Sequence, residues 1–374
     1  MYSIKEIKNW ILNNGKLSIF CAGQNGYTFY KILQLFNIPI DCVIDNNNVK
    51  WGQKVFDGVI CRSPEFLQEK TDYLTYICIG PQYYGEILEQ AKEIGIVNIC
   101  DVNAVLRDVI NNYPEEYFKL LEELPYDTGS EFFYDLSFRG AGLMETQCIL
   151  PKNERIAVYT SIFGNYDQIR EPQYFADNID YYFVSDKKPE SLKGYRWVDA
   201  RKYLPKGVND AVMQNRFVKM HPHVLFPQYK YSVYIDGNVE IVNDISMFVQ
   251  KSKTGISVFL HPLRNDIYME ALAVVNYRRA NKEQVACQMR KYREENIPTE
   301  LGLPEMRVLA REHNNPYCIN IMEAWWDEFQ TKSKRDQLSF MYAVWKNGFI
   351  LSDMFVLGRD MKKHGSLKIW DHVK

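Results

Sequence analysis

The chain lacks the features that announce a membrane, a nucleic-acid partner or a disulfide framework. No apolar run approaches the ~20 residues needed to span a bilayer, and the opening Met1-Tyr-Ser-Ile-Lys5 contains no signal-peptide core. A cytoplasmic protein is expected, with at most peripheral membrane association. Excess charge of one sign is also missing: 45 Lys and Arg face 47 Asp and Glu, a net charge of −2. Such a balance supplies no field for a phosphate backbone, so no nucleic-acid partner is expected. The eight cysteines contain no C-x-x-C pair, and several lie inside strand-like runs such as Ile19-Phe-Cys21 and Tyr76-Ile-Cys-Ile79. They read as buried free thiols of a reducing compartment. Internal repeats and low-complexity tracts are absent as well.

What is present suits a folded α/β protein. At 374 residues and 46% hydrophobic content the chain has material for ~2 to 3 domains with real cores. The first hundred residues alternate strand-like and helix-like segments, among them Leu17–Ala22, Tyr27–Phe36, Ile40–Asp45 and Tyr76–Ile79. A small doubly wound, Rossmann-like unit is therefore predicted over 1–108. Gly23-Gln-Asn-Gly26 falls at its first strand-to-helix turn and Asp45 at the end of its second strand, where a dinucleotide fold meets pyrophosphate and ribose. Two glycines in place of three also describe a tight turn without a ligand. Tyr27 and Lys31 match a Y-x-x-x-K spacing but fall on the first helix, so oxidoreductase chemistry from this unit is the lesser alternative. Residues 109–153, with a charged helix and then Gly129, Gly140 and Gly142, read as a connector.

At Arg155 a second α/β pattern begins and runs over 154–374. Its most telling stretch is Tyr234-Ile235-Asp236-Gly237-Asn238, in which an apolar strand ends with a carboxylate and an amide oxygen two residues apart. Those hard oxygens suit Mn²⁺ or Mg²⁺ set against a diphosphate. Asp-Gly between alternating runs is equally a hairpin signal. Upstream, Thr160, Phe163, Gly164, Tyr166 and Asp167 form a strand and glycine loop suited to gripping a nucleobase. Arg216 and Lys219 lie three apart on a predicted helix and share a face, as two cations for a diphosphate or as a solvated surface. His261, Arg264, Asp266 and Glu270 follow the strand Ile256–Leu260, a place for acceptor hydroxyls or leaving phosphates. Arg335-Asp336-Gln337 opens an amphipathic helix, where Asp336 is also a plain dipole-compensating group.

Taken in order, these residues, with Trp325-Trp326, resemble a glycosyltransferase-like domain. It was formerly of unknown function and is named for plant proteins of pollen-tube turgor and seed mucilage. The resemblance implies a GT-A-like fold for nucleotide-diphospho-sugar transfer to a glycan, lipid-linked or other hydroxyl acceptor, with a UDP-sugar favoured. Asp236 to Asn238 resembles the D-x-D element of such enzymes, with Asn in second place and Mn²⁺ or Mg²⁺ as the implied cofactor. Asp336 and Gln337 resemble the D-Q pair of retaining transferases, with Arg335 steadying phosphate. If the reaction inverts, Asp336 or Glu270 is the eligible base. His364-Gly-Ser-Leu-Lys368-Ile-Trp370 looks like a shortened H-x-x-G-x-x-K-P-W element, which would make His364 a metal ligand. The N-terminal unit resembles small domains joined to bacterial sugar-modifying enzymes, so a surface or capsular glycan is the expected product. The alternative from another class is a catalytically inactive nucleotide-sugar-binding or regulatory protein.

Overall fold

The computed structural model describes residues 2–124, 131–135 and 154–372. Both the α/β class and two mixed, largely parallel sheets are present, one in each of two compact units. The first unit comprises the described residues of Met1–Phe138 together with Tyr268–Glu295, and the second those of Arg139–Ile267 and Asn296–Lys374.

The six strands of the first unit are β1 (Lys16–Phe20), β2 (Cys42–Ile44), β3 (Lys54–Val55), β4 (Val59–Arg62), β5 (Tyr73–Ile77) and β6 (Ile99–Cys100). They lie in the order β3-β4-β2-β1-β5-β6, parallel except for β3 on the edge. β2 and β5 are buried throughout, as expected of parallel strands covered on both faces. The helix Gln24–Leu35 starts at Gly23, and its first turn presses on the end of β1. A Cβ on Gly26 would lie 1.9 Å from the Cys21 carbonyl oxygen, so only glycine fits there.

The boundaries expected at 108 and 153 are redrawn. The helix Pro114–Glu123, expected in a connector, packs on Lys282–Glu294 within the first unit. Tyr117 donates its hydroxyl hydrogen to the Tyr268 carbonyl at 3.0 Å, and Lys282 donates to the Leu124 carbonyl at 2.9 Å. The chain thus returns to the first unit well after entering the second. Residues 125–130 and 136–153 of the expected connector, with their glycines and Cys148, lie outside the described residues.

The second unit holds β7 (Ile156–Ser161), β8 (Ile179–Ser185), β9 (Arg196–Asp199), β10 (Tyr231–Ile235), β11 (Val239–Ile241), β12 (Ile256–Leu260), β13 (Pro304–Arg311), β14 (Phe355–Arg359) and β15 (Leu367–Ile369). Seven form the sheet β14-β12-β13-β10-β7-β8-β9, in which β13 alone is antiparallel to its neighbours; β11 and β15 make a separate antiparallel ribbon. On one sheet face Val158, Val233, Ile235, Phe259 and Val308 join an apolar core. On the other, Tyr159 and Tyr234 pack edge to face at 5.3 Å, near the helix Ala211–Met220. Among the described residues no helix is long and apolar enough to cross a membrane.

Candidate active site

Asp236 follows the last residue of β10 and donates its N–H to the Arg307 carbonyl of β13 at 2.8 Å, which fixes the strand end. The turn closes with the Val239 N–H donating to the Asp236 carbonyl at 3.0 Å. A Cβ at 237 would crowd the Ile162 side chain at 2.9 Å, which favours glycine there, and would lie in ordinary contact with the Asp167 Cβ at 3.5 Å. The loop after β7 therefore lies directly against the Asp236–Asn238 turn. The Asp236 side chain keeps 23% of its surface exposed.

The helix Ala211–Met220, started by the Asp210 side chain accepting the Met213 N–H, brings Arg216 and Lys219 to one place. Lys219, 1% exposed, donates to Asp336 Oδ2 at 2.8 Å and lies 3.8 Å from Asp236 Oδ1. Arg216 Nε is 3.0 Å from the same Asp336 oxygen. Asp336 itself is locked at the start of the helix Asp336–Lys346. Trp325 Nε1 donates to its carbonyl at 2.8 Å, and its Oδ1 accepts the Gln337 N–H at 3.1 Å. Burial pushes the Asp336 pKa up, but Arg216, Lys219 and Arg335 outweigh it and hold the carboxyl well below the usual range. Burial also opposes the charge on Arg216, yet Asp336 and Asp236 more than offset it and raise its pKa. The result is a continuous row, Asp236, Lys219, Asp336, Arg216, of alternating sign. Burying such charges costs several kcal/mol, which a few core side chains at about 1.5–3 kcal/mol each offset.

Of the loop residues singled out for a nucleobase, Thr160 and Phe163 are buried, and the Thr160 hydroxyl has no hydrogen-bond partner among the described residues. Asn215 ties this strand end to the helix by donating to both the carbonyl and the hydroxyl of Ser161 at 2.9 Å. Gly164 is exposed at φ +64°, and Tyr166 is 54% exposed. The Asp167 carboxylate is enclosed: Oδ1 accepts the Gln168 N–H at 2.9 Å and Oδ2 faces His372 Nδ1 at 2.8 Å. Asn238 is buried; its Nδ2 donates to the Trp370 carbonyl at 2.9 Å, and its Oδ1 has no hydrogen-bond partner among the described residues.

Glu270 is buried on the helix Ile267–Asn276, which from Tyr268 onward falls in the first unit. One expectation is corrected. His364 does not reach the Asp236–Asn238 turn as a ligand. Its ring packs edge-on against Phe248 and Phe259 at 5.0 and 5.4 Å, and its Nδ1 accepts the Ser366 N–H. Burial lowers its pKa accordingly. His261 is likewise turned inward: its Nδ1 accepts the N–H groups of Leu263 and Arg264, and its Nε2 lies 3.0 Å from the Arg264 guanidinium. The Gln337 side chain donates to the Pro304 carbonyl at 3.3 Å.

Sequence reasoning missed His372 as a site residue, treated Trp370 only as part of a motif, and passed over Glu305. Glu305 is a buried carboxylate on β13 that pairs with Arg307 at 3.2 Å, its pKa raised by burial. Spacing offers no signal for the Trp370 and His372 contacts, since the Asn238–Trp370 and Asp167–His372 pairs span 132 and 205 positions.

Residues 133–356, more than half of the chain, match the TOD1/MUCI70, glycosyltransferase-like domain. The chain belongs to this family. Within the TOD1/MUCI70 family it is 26% identical over 213 residues to the probable hexosyltransferase MUCI70 of Arabidopsis thaliana, covering 50% of this chain and 36% of that protein. Similar solved structures include the bifunctional glycosyltransferase WbbM, 13% identical with a TM-score of 0.35, covering 74% of this chain and 51% of that one. Mouse xyloside xylosyltransferase 1 is 11% identical with a TM-score of 0.32, covering 54% of this chain and 85% of that one. Membership of the TOD1/MUCI70 family makes residues 133–356 glycosyltransferase-like.

Proposed function

We propose that this protein is a GT-A-like glycosyltransferase that moves a sugar from a nucleoside diphosphate, a UDP-sugar first among the candidates, to a hydroxyl of a glycan or lipid-linked acceptor. The observation that carries this reading is the charge row at the end of β10, in which Lys219 bridges Asp236 and Asp336 with Arg216 alongside. Breaking the bond from an anomeric carbon to a diphosphate builds negative charge on the leaving group. Cations already fixed at a protein site stabilise that charge without reorganising. Arg216 and Lys219 are such cations, and each is oriented by Asp336 before any donor arrives.

The residues present also fit a divalent cation. Among the described residues no group of three or more His, Cys, Asp and Glu is placed to hold a metal. Mg²⁺, however, is commonly held by one or two protein oxygens with the rest from phosphate and water. Asp236 supplies a partly exposed carboxylate and Asn238 an amide oxygen with no hydrogen-bond partner among the described residues. Those two would hold Mn²⁺ or Mg²⁺, which when bound would neutralise the diphosphate oxygens.

Asp336 is a poor candidate for a general base. A carboxylate held well below its usual pKa by neighbouring cations takes up a proton weakly. It is better suited to accepting hydrogen bonds from the donor sugar's hydroxyls, which supports retention over inversion. The described cysteines are all unpaired, which suits the cytoplasm.

Incubation with a panel of nucleotide sugars and Mn²⁺, reading released nucleoside diphosphate and transferred sugar, tests the proposal. Release from a UDP-sugar is expected. Neither hydrolysis nor transfer with any donor would overturn it, and nucleotide binding left unchanged by Asp236→Ala would favour a binding protein.

A further inference from the structure

The segment after β15 meets the donor side of the second unit at two points. The Trp370 N–H donates to the Asn238 carbonyl at 2.9 Å, continuing the β11–β15 ribbon, and the Trp370 carbonyl accepts from Asn238 Nδ2. A carbonyl oxygen can only accept, so it dictates which way the Asn238 amide faces and turns its oxygen away from Trp370. The Trp370 ring is pinned by three groups. Nε1 donates to Glu240 at 2.7 Å, and Arg170 and Lys368 lie over the ring at 4.9 and 3.9 Å.

Two residues on, His372 performs the same service for the nucleobase loop. Its Nδ1 lies 2.8 Å from Asp167 Oδ2, and its ring is tilted against Tyr166 with centroids 5.1 Å apart. A carboxylate accepts, so Nδ1 carries a proton and donates it to Asp167. With a side chain 44% exposed beside the exposed Tyr166, His372 offers an aromatic edge and its second ring nitrogen to a ligand.

We propose that Trp370 and His372 are positioning residues of the nucleotide site, Trp370 acting through Asn238 and His372 through Asp167 and Tyr166, and that the group they prepare for is a nucleoside diphosphate. This rests on the donor reading above. Calorimetric titration of the full chain with UDP, and separately GDP, in the presence of Mn²⁺ tests it, using His372→Ala, His372→Asn and Trp370→Ala with melting temperatures alongside. His372→Ala weakens binding about tenfold or more, the loss expected when a hydrogen bond to a charged group is removed. Its melting temperature stays unchanged, and His372→Asn, which can still donate to Asp167, restores affinity to within a few-fold. Trp370→Ala weakens binding in the same direction. Wild-type affinity in His372→Ala and Trp370→Ala overturns the inference and leaves the donor reading standing. A loss in His372→Ala that His372→Asn does not repair also overturns it, because the hydrogen bond is then not the cause. If the wild-type chain binds neither nucleotide, the donor reading itself fails and takes this inference with it.

Discussion

Asp45 and Asp236 occupy the same kind of place, each following the last residue of a parallel strand in an α/β unit, and they are used in opposite ways. Asp45 is consumed by its own unit: Oδ2 accepts the Ala22 N–H at 2.8 Å and pairs with Lys50 at 3.0 Å, while Oδ1 accepts the Asn47 N–H at 2.9 Å. Its carboxylate staples the first strand-to-helix turn. Among the described residues Lys219 is the one cation within 4 Å of the Asp236 carboxylate, at 3.8 Å, beyond hydrogen-bonding distance, and the side chain keeps 23% of its surface exposed. A carboxylate with its acceptor positions filled holds structure together, and one with them open is available to a ligand. The partner lysines differ to match, since Lys219 is buried whereas Lys50 keeps about a third of its side chain in water.

The largest effect that sharpens this contrast is on stability. Lys219→Met leaves the buried Asp336 with one fewer cation and is expected to cost about 3–5 kcal/mol, as broken buried pairs do. The matching Lys50→Met, at a partly exposed pair, costs about 1 kcal/mol or less. Urea denaturation of both variants reads the difference, and equal losses would break the comparison. Next comes turnover. Asp236→Ala is expected to slow donor consumption about 10²- to 10³-fold, the range seen when one contact to developing charge is lost. Folding is expected to change little, because the Asp236 side chain is partly exposed and its nearest described cation lies 3.8 Å away. Steady-state release of nucleoside diphosphate measures it, and unchanged turnover would place the chemistry elsewhere.

How much of this was legible in the sequence depends on how far apart the partners lie. Strand-end positions such as Asp236 follow from apolar runs that stop at a turn, and the shared face of Arg216 and Lys219 follows from helical spacing. Their convergence on Asp336 does not, because Lys219 and Asp336 are 117 positions apart. The same holds for the C-terminal segment. His364, placed near a motif by resemblance, sits against two phenylalanines, while His372, with no motif of its own, meets Asp167. The division into two compact units is hidden for a related reason. The stretch Tyr268–Glu295 has ordinary helical periodicity, and nothing in a period tells a helix which unit it will complete.

Acidification separates the two units by a different route. In the second unit His313 is fully buried, its Nε2 is 3.0 Å from the Phe226 carbonyl, and burial pulls its pKa from 6.5 down to about 4. The unfolded chain therefore takes up a proton first as pH falls. The stabilisation is complete above pH 6.5 and is lost progressively down to about pH 4, up to about 3 kcal/mol in total. His313→Gln, which can still donate to the Phe226 carbonyl, flattens that slope in denaturation curves collected between those limits. Buried thiols in the first unit move the other way: Cys42 and Cys100 are both pushed up to about 12, chiefly by burial, so they stay protonated throughout the same window. A slope that survives His313→Gln would assign the acid sensitivity to other groups.

The smallest effect returns to Asp45. Asp45→Asn keeps one acceptor oxygen but loses the charge that holds Ala22, Asn47 and Lys50 together, and is expected to cost about 1.5 kcal/mol. The measurement is chemical denaturation, paired with a test for nucleotide carried through purification. A normal stability accompanied by loss of a co-purifying dinucleotide would mean that Asp45 faces a ligand after all, and the contrast with Asp236 would dissolve. The expected result, lower stability with no change in bound nucleotide, assigns the carboxylate to the turn it closes. It would also explain why two glycines suffice there: Gly26 answers the Cys21 carbonyl, while the strand end is held by Asp45 and not by a phosphate.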